Sequence, residues 1–266
     1  MGKTAADKSV YFKTELIKLR PTYSTVRHDP IPTLSDLPLE PATHPPKQPR
    51  TVFSNSDGAR PHRVYAFSPN RHTLGGTAYL IVDEVNILVD CPIWDETTAA
   101  FLQQQGGVQW LFLTHRGGIS NVAMIQQALG CQVVIQEQEA YLLPELKPTR
   151  FTQSFHLGDR GEAIWTPGHS PGSACLYYNR FGGILFSGRH LLPSPQGELQ
   201  PLQTAKTFHW RRQKQSVAAL RNRFSPETLE WICPGANTGF LRGSYAIGHA
   251  YEKLVGMTEQ LDPNSF

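Results

Sequence analysis

"TPGHSPGS", residues 166–173, is the stretch on which the fold of this chain turns. It follows the apolar run AIWT (163–166) and leads into ACLYY (174–178). The next apolar run, GILFS (183–187), closes on Gly188 with Arg189 and His190 behind it. Proline and glycine punctuate loops, and short apolar runs between such loops read as strands, so His169 is placed on a loop at a strand's end. ILVDCP (87–92), FLTHRGGIS (112–120) and WICPGANTG (231–239) are built the same way, as apolar strands that end in Gly, Pro, His or charged residues. With IWTPGHSPGS and LFSGRHLL they make five such segments. Polar loops at strand ends are where α/β proteins place ligands, so the five are expected to share one rim.

Between these segments the chain alternates strand and helix patterns. VYAFS (64–68), GTAYLIVD (76–83), NILVD (86–90), WLFLT (110–114) and QVVIQ (132–136) are predicted strands, with a hairpin turn at Glu84–Asn86. Asp95 is the expected cap of a helix that runs to Gln105 and stops at Gly106 and Gly107. Ser120 is the expected cap of a second helix, which ends at Gly130. His209–Phe224 reads as a third, with Val217, Leu220 and Phe224 on one face; Ser225, Pro226 and Glu227 then open a short one ahead of LEWIC (229–233). Two sheets packed face to face with helices outside is the architecture that follows.

Residues 1–62 differ, because nine prolines (Pro21, Pro30, Pro32, Pro38, Pro41, Pro45, Pro46, Pro49 and Pro61) fall there among few large apolar residues. A proline-rich segment cannot sustain helix or sheet, so 1–62 is expected to be an extended arm and 63–266 the folded domain. Only Lys8–Leu19 has a helical pattern, ended by Pro21. Tyr11, Phe12, Leu16, Ile17, Tyr23, Ile31, Leu34, Leu37 and Phe53 give the arm more apolar content than a spacer needs, which points to a protein partner docked through it.

At 266 residues and 39 % hydrophobic content the chain supports one sizeable core. A net charge of +3 with scattered basic residues leaves no nucleic-acid footprint. No run approaches the roughly 20 apolar residues of a membrane span, and MGKTAADKSVYFK lacks the apolar stretch of a secretory signal, so a cytoplasmic protein is expected. Cys91, Cys131, Cys175 and Cys233 form no CxxC pair and are expected as free thiols. TAKTFHWRRQK (204–214) is the strongest basic-aromatic cluster, read first as a helix start with solvated charges.

TPGHSPGS followed by LFSG, with ILVD, FLTH and CPG in this order, resembles the metallo-β-lactamase fold superfamily, which includes glyoxalase II-type thioester hydrolases; the resemblance covers about Val64 to Leu254. A fainter similarity points to cyanobacterial and plastid proteins, which would place a plant chain in the plastid stroma. The resemblance implies a four-layer αββα sandwich, here with a Pro-rich N-terminal arm, and a metal site at one edge of the sheets.

Carried over residue by residue, the family's metal ligands are largely missing. Its H-x-H-x-D-H motif falls on His115, Arg116, Gly117, Gly118, Ile119 and Ser120; its later histidine is His169, its bridging aspartate is replaced by Arg189, and its last histidine by Ala236. Asp90 keeps the family's structural aspartate. Zinc needs three protein ligands even in an open site, and a guanidinium at the bridging position repels a dication. The reading is therefore a non-catalytic or repurposed binding protein with no metal or other cofactor. His115, Arg116, Gly117, Gly118, His169, Arg189, His190 and Asn237 would line a pocket for an anionic ligand, with the glycines letting main-chain N–H groups approach it. The arginines could instead pair with Asp90, Asp95 or Glu137 and knit loops together. The alternative is a mononuclear hydrolase acting on a thioester or phosphoester. One zinc or iron ion would then be held by His115, His169 and a substitute such as His190, Cys91 or Cys233.

Overall fold

The computed structural model describes residues 47–55 and 61–260. Expectations for residues 1–46, including the Lys8–Leu19 helix, lie outside them.

One sheet has seven strands in chain order: β1 (Arg50–Asn55), β2 (His62–Ala66), β3 (Tyr79–Val82), β4 (Ile87–Val89), β5 (Trp110–Phe112), β6 (Gln132–Gln136) and β7 (Thr149–Phe151). Its first four strands pair antiparallel and β4 through β7 parallel. The second sheet uses β8 (Ser154–Leu157), β9 (Gly161–Trp165), β10 (Ala174–Tyr178), β11 (Ile184–Gly188), β14 (Trp231–Pro234) and β15 (Ile247–Gly248), in the order β15-β14-β11-β10-β9-β8. A short hairpin, β12 (Leu192–Pro193) with β13 (Leu199–Gln200), stands apart.

The period of two along each strand sorts side chains into layers. Leu80, Leu88, Leu111, Val133 and Ile135 face Ala99 and Leu102 of α1 (Glu96–Gln104) and Val122, Ile125 and Ala128 of α2 (Val122–Leu129). Their neighbours Tyr79, Ile81, Ile87, Val89, Phe112 and Val134 point the other way and meet Ala163, Ala174, Leu176, Ile184 and Phe186 of the second sheet. On that sheet's far side Ile164, Cys175, Leu185 and Ile232 pack on Val217 and Leu220 of α3 (Trp210–Arg223) and on Leu254 and Met257 of α4 (Ala250–Gln260). The result is a four-layer αββα sandwich. No helix of the described residues is long and apolar enough to cross a membrane.

Local signals fix most element ends. Asp95 accepts a hydrogen bond from Thr98 N at 2.8 Å and so caps α1, and left-handed Gly106 and Gly107 follow its end. Gly130, at φ +63°, stops α2. His209 caps α3 through Nδ1, which accepts from Arg212 N.

Three expectations differ from the structure. Arg50–Asn55 falls in the Pro-rich stretch yet forms β1, because RTVFSN is free of proline and Phe53 stacks on Phe181 and Trp231. Asn121, not Ser120, occupies the cap position of α2, and the Ser120 hydroxyl is buried without a hydrogen-bond partner. Ser225–Leu229 is a turn, closed by Thr228 N and Leu229 N on the Ser225 carbonyl; Leu229 must already be buried, which leaves no length for a helix.

Candidate functional site

The polar strand-end loops meet where the two sheets are stitched together. Ala174 N donates to the Thr114 carbonyl (2.8 Å) and Thr77 N to the Gly235 carbonyl (2.9 Å), both from one sheet to the other, while Gly235 N donates to the Gly188 carbonyl (2.7 Å) within the second sheet.

Asp90, left-handed at φ +58° just past β4, accepts from Thr114 N at 2.8 Å and from Thr114 Oγ1 at 2.7 Å. With its proton given to the carboxylate, the Thr114 hydroxyl accepts from His115 Nδ1–H, 2.9 Å away. His115 Nε2 is then a bare lone pair, buried and without a partner. Burial holds the His115 pKa well below the usual imidazole range, and His169, Arg189 and Arg116 add to the effect. Burial pushes Asp90 up to about 6, against its Thr114 bonds and the nearby Arg189.

The glycines of FLTHRGGIS make room for these two groups. A Cβ on Gly117 would stand 2.7 Å from His115 Nε2, and one on Gly118 would overlap Asp90 Oδ1. The expectation that both glycines offer N–H groups to a ligand is corrected at Gly118, whose N–H donates to the His115 carbonyl at 2.9 Å. The Arg116 N–H is also taken, by Glu139 Oε2 at 2.6 Å.

Glu139 is the residue of this cluster that the sequence does not single out, where Glu137 was the expected partner. It is 1 % exposed, and its second oxygen accepts from Gly172 N at 3.2 Å, so one carboxylate ties the His115 loop to the TPGHSPGS loop. The one available signal was its place just past β6, in the 3-10 helix Glu137–Leu142 at the same end of the sheet as Asp90 and His115.

His169 is half-buried, its ring 5.1 Å from that of His115 and edge-on to it. Burial lowers its pKa to about 4, helped by Arg189 and Arg116. The chain leading into α3 clamps this loop: Phe208 N donates to the His169 carbonyl and His209 N to that of Gly168. Gly168 has φ +147°, and a Cβ there would overlap the backbone of Gln213 in α3. Gly168→Ala should therefore cost about 3 kcal/mol or more, read as an earlier midpoint in urea unfolding; an unchanged midpoint would show that α3 yields freely.

Arg189 follows β11. Its Nη2 donates to the carbonyls of Thr73 (3.0 Å) and Leu74 (2.8 Å), its charge is felt at Asp90, His115 and His169, and neither it nor Arg116 forms an ion pair among the described residues. The knitting role weighed for the arginines thus falls to carbonyl contacts for Arg189, while Arg116 is exposed.

His190 is enclosed, with both ring nitrogens unpartnered and its carbonyl accepting from Gln213 Nε2 at 3.0 Å. Burial and His169 take its pKa down to about 3. Asn237 is exposed and left-handed, its carbonyl accepting from Phe240 N. Cys91 lies in the core under α1 and α2 and Cys233 in the core between the sheets; burial raises both thiols far above the usual range. Among the described residues no group of three His, Cys, Asp or Glu side chains is arranged to hold a metal ion. Beside α3 an open groove of about 390 Å³ runs along Trp165, Pro167, Arg212, Ser216, Ala219 and Arg223.

Residues 128–228 match the model of the metallo-beta-lactamase superfamily. Among solved structures the chain is similar to TMB-1, at 10 % identity and a TM-score of 0.59 over 81 % of this chain and 99 % of that one. It is similar to ST1585, an archaeal metallo-beta-lactamase superfamily protein from Sulfolobus tokodaii, at 14 % identity and a TM-score of 0.52 over 75 % of this chain and 86 % of that one. It is also similar to TTHA1623, solved in a di-iron-bound form, at 20 % identity and a TM-score of 0.50 over 75 % of this chain and 96 % of that one. Among curated proteins none matches the chain. At these identities the likeness is one of fold.

Proposed function

We propose that this chain, which has the metallo-β-lactamase fold, is a repurposed binding protein that holds an anionic group with Arg189 and Arg116 where relatives of the fold would hold metal. The observation that carries this reading is the placement of the Arg189 guanidinium at the end of β11, within the field of Asp90, His115 and His169. Two neutral imidazoles and the Arg189 cation favour a carboxylate or phosphate here, since Asp90, the carboxylate in the field of Arg189, is held to Thr114. Nη2 is committed to the Thr73 and Leu74 carbonyls, so the Arg189 contact to the anion is through Nε–H or Nη1–H.

A dinuclear metal centre does not fit these residues. Gly117, Ile119, Ser120 and Ala236 offer no imidazole or carboxylate at the positions aligned with ligands, and a cation already stands among the two histidines that remain. The bare Nε2 of His115 beside His169 favours the second reading, a mononuclear hydrolase, as far as two ligands go. The Pro-rich arm is assigned a protein-docking role on its apolar content.

Two measurements separate the readings. Protein purified without chelator should carry well under one zinc or iron per chain; a stoichiometric metal that disappears in His115→Ala would establish the hydrolase reading instead. Phosphate at ten times its dissociation constant should raise Tm by about 3–5 °C, and Arg189→Ala should abolish the rise. A wild-type Tm indifferent to phosphate and to acetate would remove the anion site.

A further inference from the structure

The five exposed large apolar side chains of the described residues are Leu74, Tyr141, Leu142, Phe208 and Phe240, between 39 % and 68 % exposed. All five stand on segments that build the candidate site. Leu74 lends its carbonyl to Arg189 (2.8 Å). Tyr141 and Leu142 close the 3-10 helix that carries Glu139. Phe208 donates its N–H to the His169 carbonyl (3.1 Å). Phe240 follows Asn237 on the 3-10 helix Thr238–Leu241, which Thr238 Oγ1 joins to Thr77 Oγ1 at 2.8 Å. Exposed apolar side chains scattered singly need no explanation, whereas their confinement to the rim of one polar site marks an interaction surface.

We propose that this face docks a protein partner which presents a carboxylate side chain from an apolar patch. The carboxylate pairs with Arg116 and Arg189, and the patch rests on Leu74, Tyr141, Phe208 and Phe240; this rests on the reading of the arginines as an anion site. Charge selects the acidic group, since neither arginine forms an ion pair among the described residues and Asp90, the carboxylate in the field of Arg189, is already bonded to Thr114. Shape selects a protein over a small molecule. A small ligand gains from concave apolar walls, whereas these side chains project from four separate segments and suit a facing protein surface, which in a standard interface is roughly 800 Å² per partner. Aromatic side chains around a desolvated charge pair are the usual anchors of such interfaces.

The test uses random twelve-residue peptides displayed on phage and selected on the full-length protein. The expected winners carry Asp or Glu flanked by aromatic or aliphatic residues. A synthetic winner should lose about tenfold in affinity in Tyr141→Ser/Phe208→Ser and again in Arg116→Ala/Arg189→Ala. Winners without an acidic residue, or a winner that binds the Tyr141→Ser/Phe208→Ser protein at full strength, would overturn the proposal. The phosphate shift in Tm, measured on the same variants, separates the two readings: Tyr141→Ser/Phe208→Ser should keep it. Phosphate binding with no selectable peptide overturns the docking surface and leaves the anion site standing. Self-association of the wild type that is lost in Tyr141→Ser/Phe208→Ser would make the occupant a second copy of this chain and overturn the choice of an acidic partner.

Discussion

Glu139→Ala should remove about 3–5 kcal/mol of folding stability, a large share of what a domain of this kind has in total. The side chain is buried, and its two oxygens each accept from a backbone N–H, of Arg116 at 2.6 Å and of Gly172 at 3.2 Å. Alanine leaves both donors without their acceptor, that of Gly172 buried and that of Arg116 part-buried, and opens a void against Gly172, where a Cβ would already lie 2.7 Å from Glu139 Cγ. Glu139→Gln separates charge from shape. It fills the space but turns one acceptor into a donor facing another donor, so it should recover only part of the loss. Urea unfolding of the three proteins decides this, and a Glu139→Ala midpoint equal to wild type would show that the two loops are held by other contacts.

Acid should destabilise the protein between about pH 6.5 and pH 4. His169 and His190 have folded pKa values of about 4 and about 3, and His115 lies well below its usual value, each depressed first by burial. The unfolded chain binds protons on all three as pH falls through about 6.5, while the folded chain does not. Their contribution is therefore complete above that pH and is lost as pH falls towards the folded values, on the order of 3 kcal/mol for a shift the size of that at His169. Asp90 acts in the opposite sense: its folded pKa of about 6 lies above the unfolded value, so its share declines as pH rises from about 4 to 6. Three imidazoles outweigh one carboxylate, and the net slope is loss in acid. His190→Leu should flatten that slope and, because neither ring nitrogen has a partner, should raise stability at pH 7 by about 1–3 kcal/mol. Equal stability of the wild type at pH 7 and pH 5, or a His190→Leu protein as acid-sensitive as the parent, would contradict this assignment.

Much of the fold was legible residue by residue. ILV at 87–89 and, past half-buried Trp110, LF at 111–112 are buried on both faces, and such strands read as unbroken apolar runs. The caps at Asp95 and Gly130 are local chemistry and were readable as such. The Ser225 turn and the Asn121 cap are not legible locally, because short polar stretches satisfy several local motifs equally, and burial of Leu229 or a one-residue shift in helix start chooses between them.

By itself the sequence determined the layer order, the five loops and which polar residues stand in them, because alternation of apolar side chains and the chemistry of Gly, Pro and His act over a few residues. Only the tertiary structure decided that Glu139 joins loops 23 and 33 residues away, that Arg189 reaches carbonyls 115 and 116 residues back, and that Gly117 and Gly118 yield space to His115 and Asp90. The physical reason is that these contacts form only after two sheets have packed. Which polar group meets which is then set by the geometry of strand ends that no local pattern encodes.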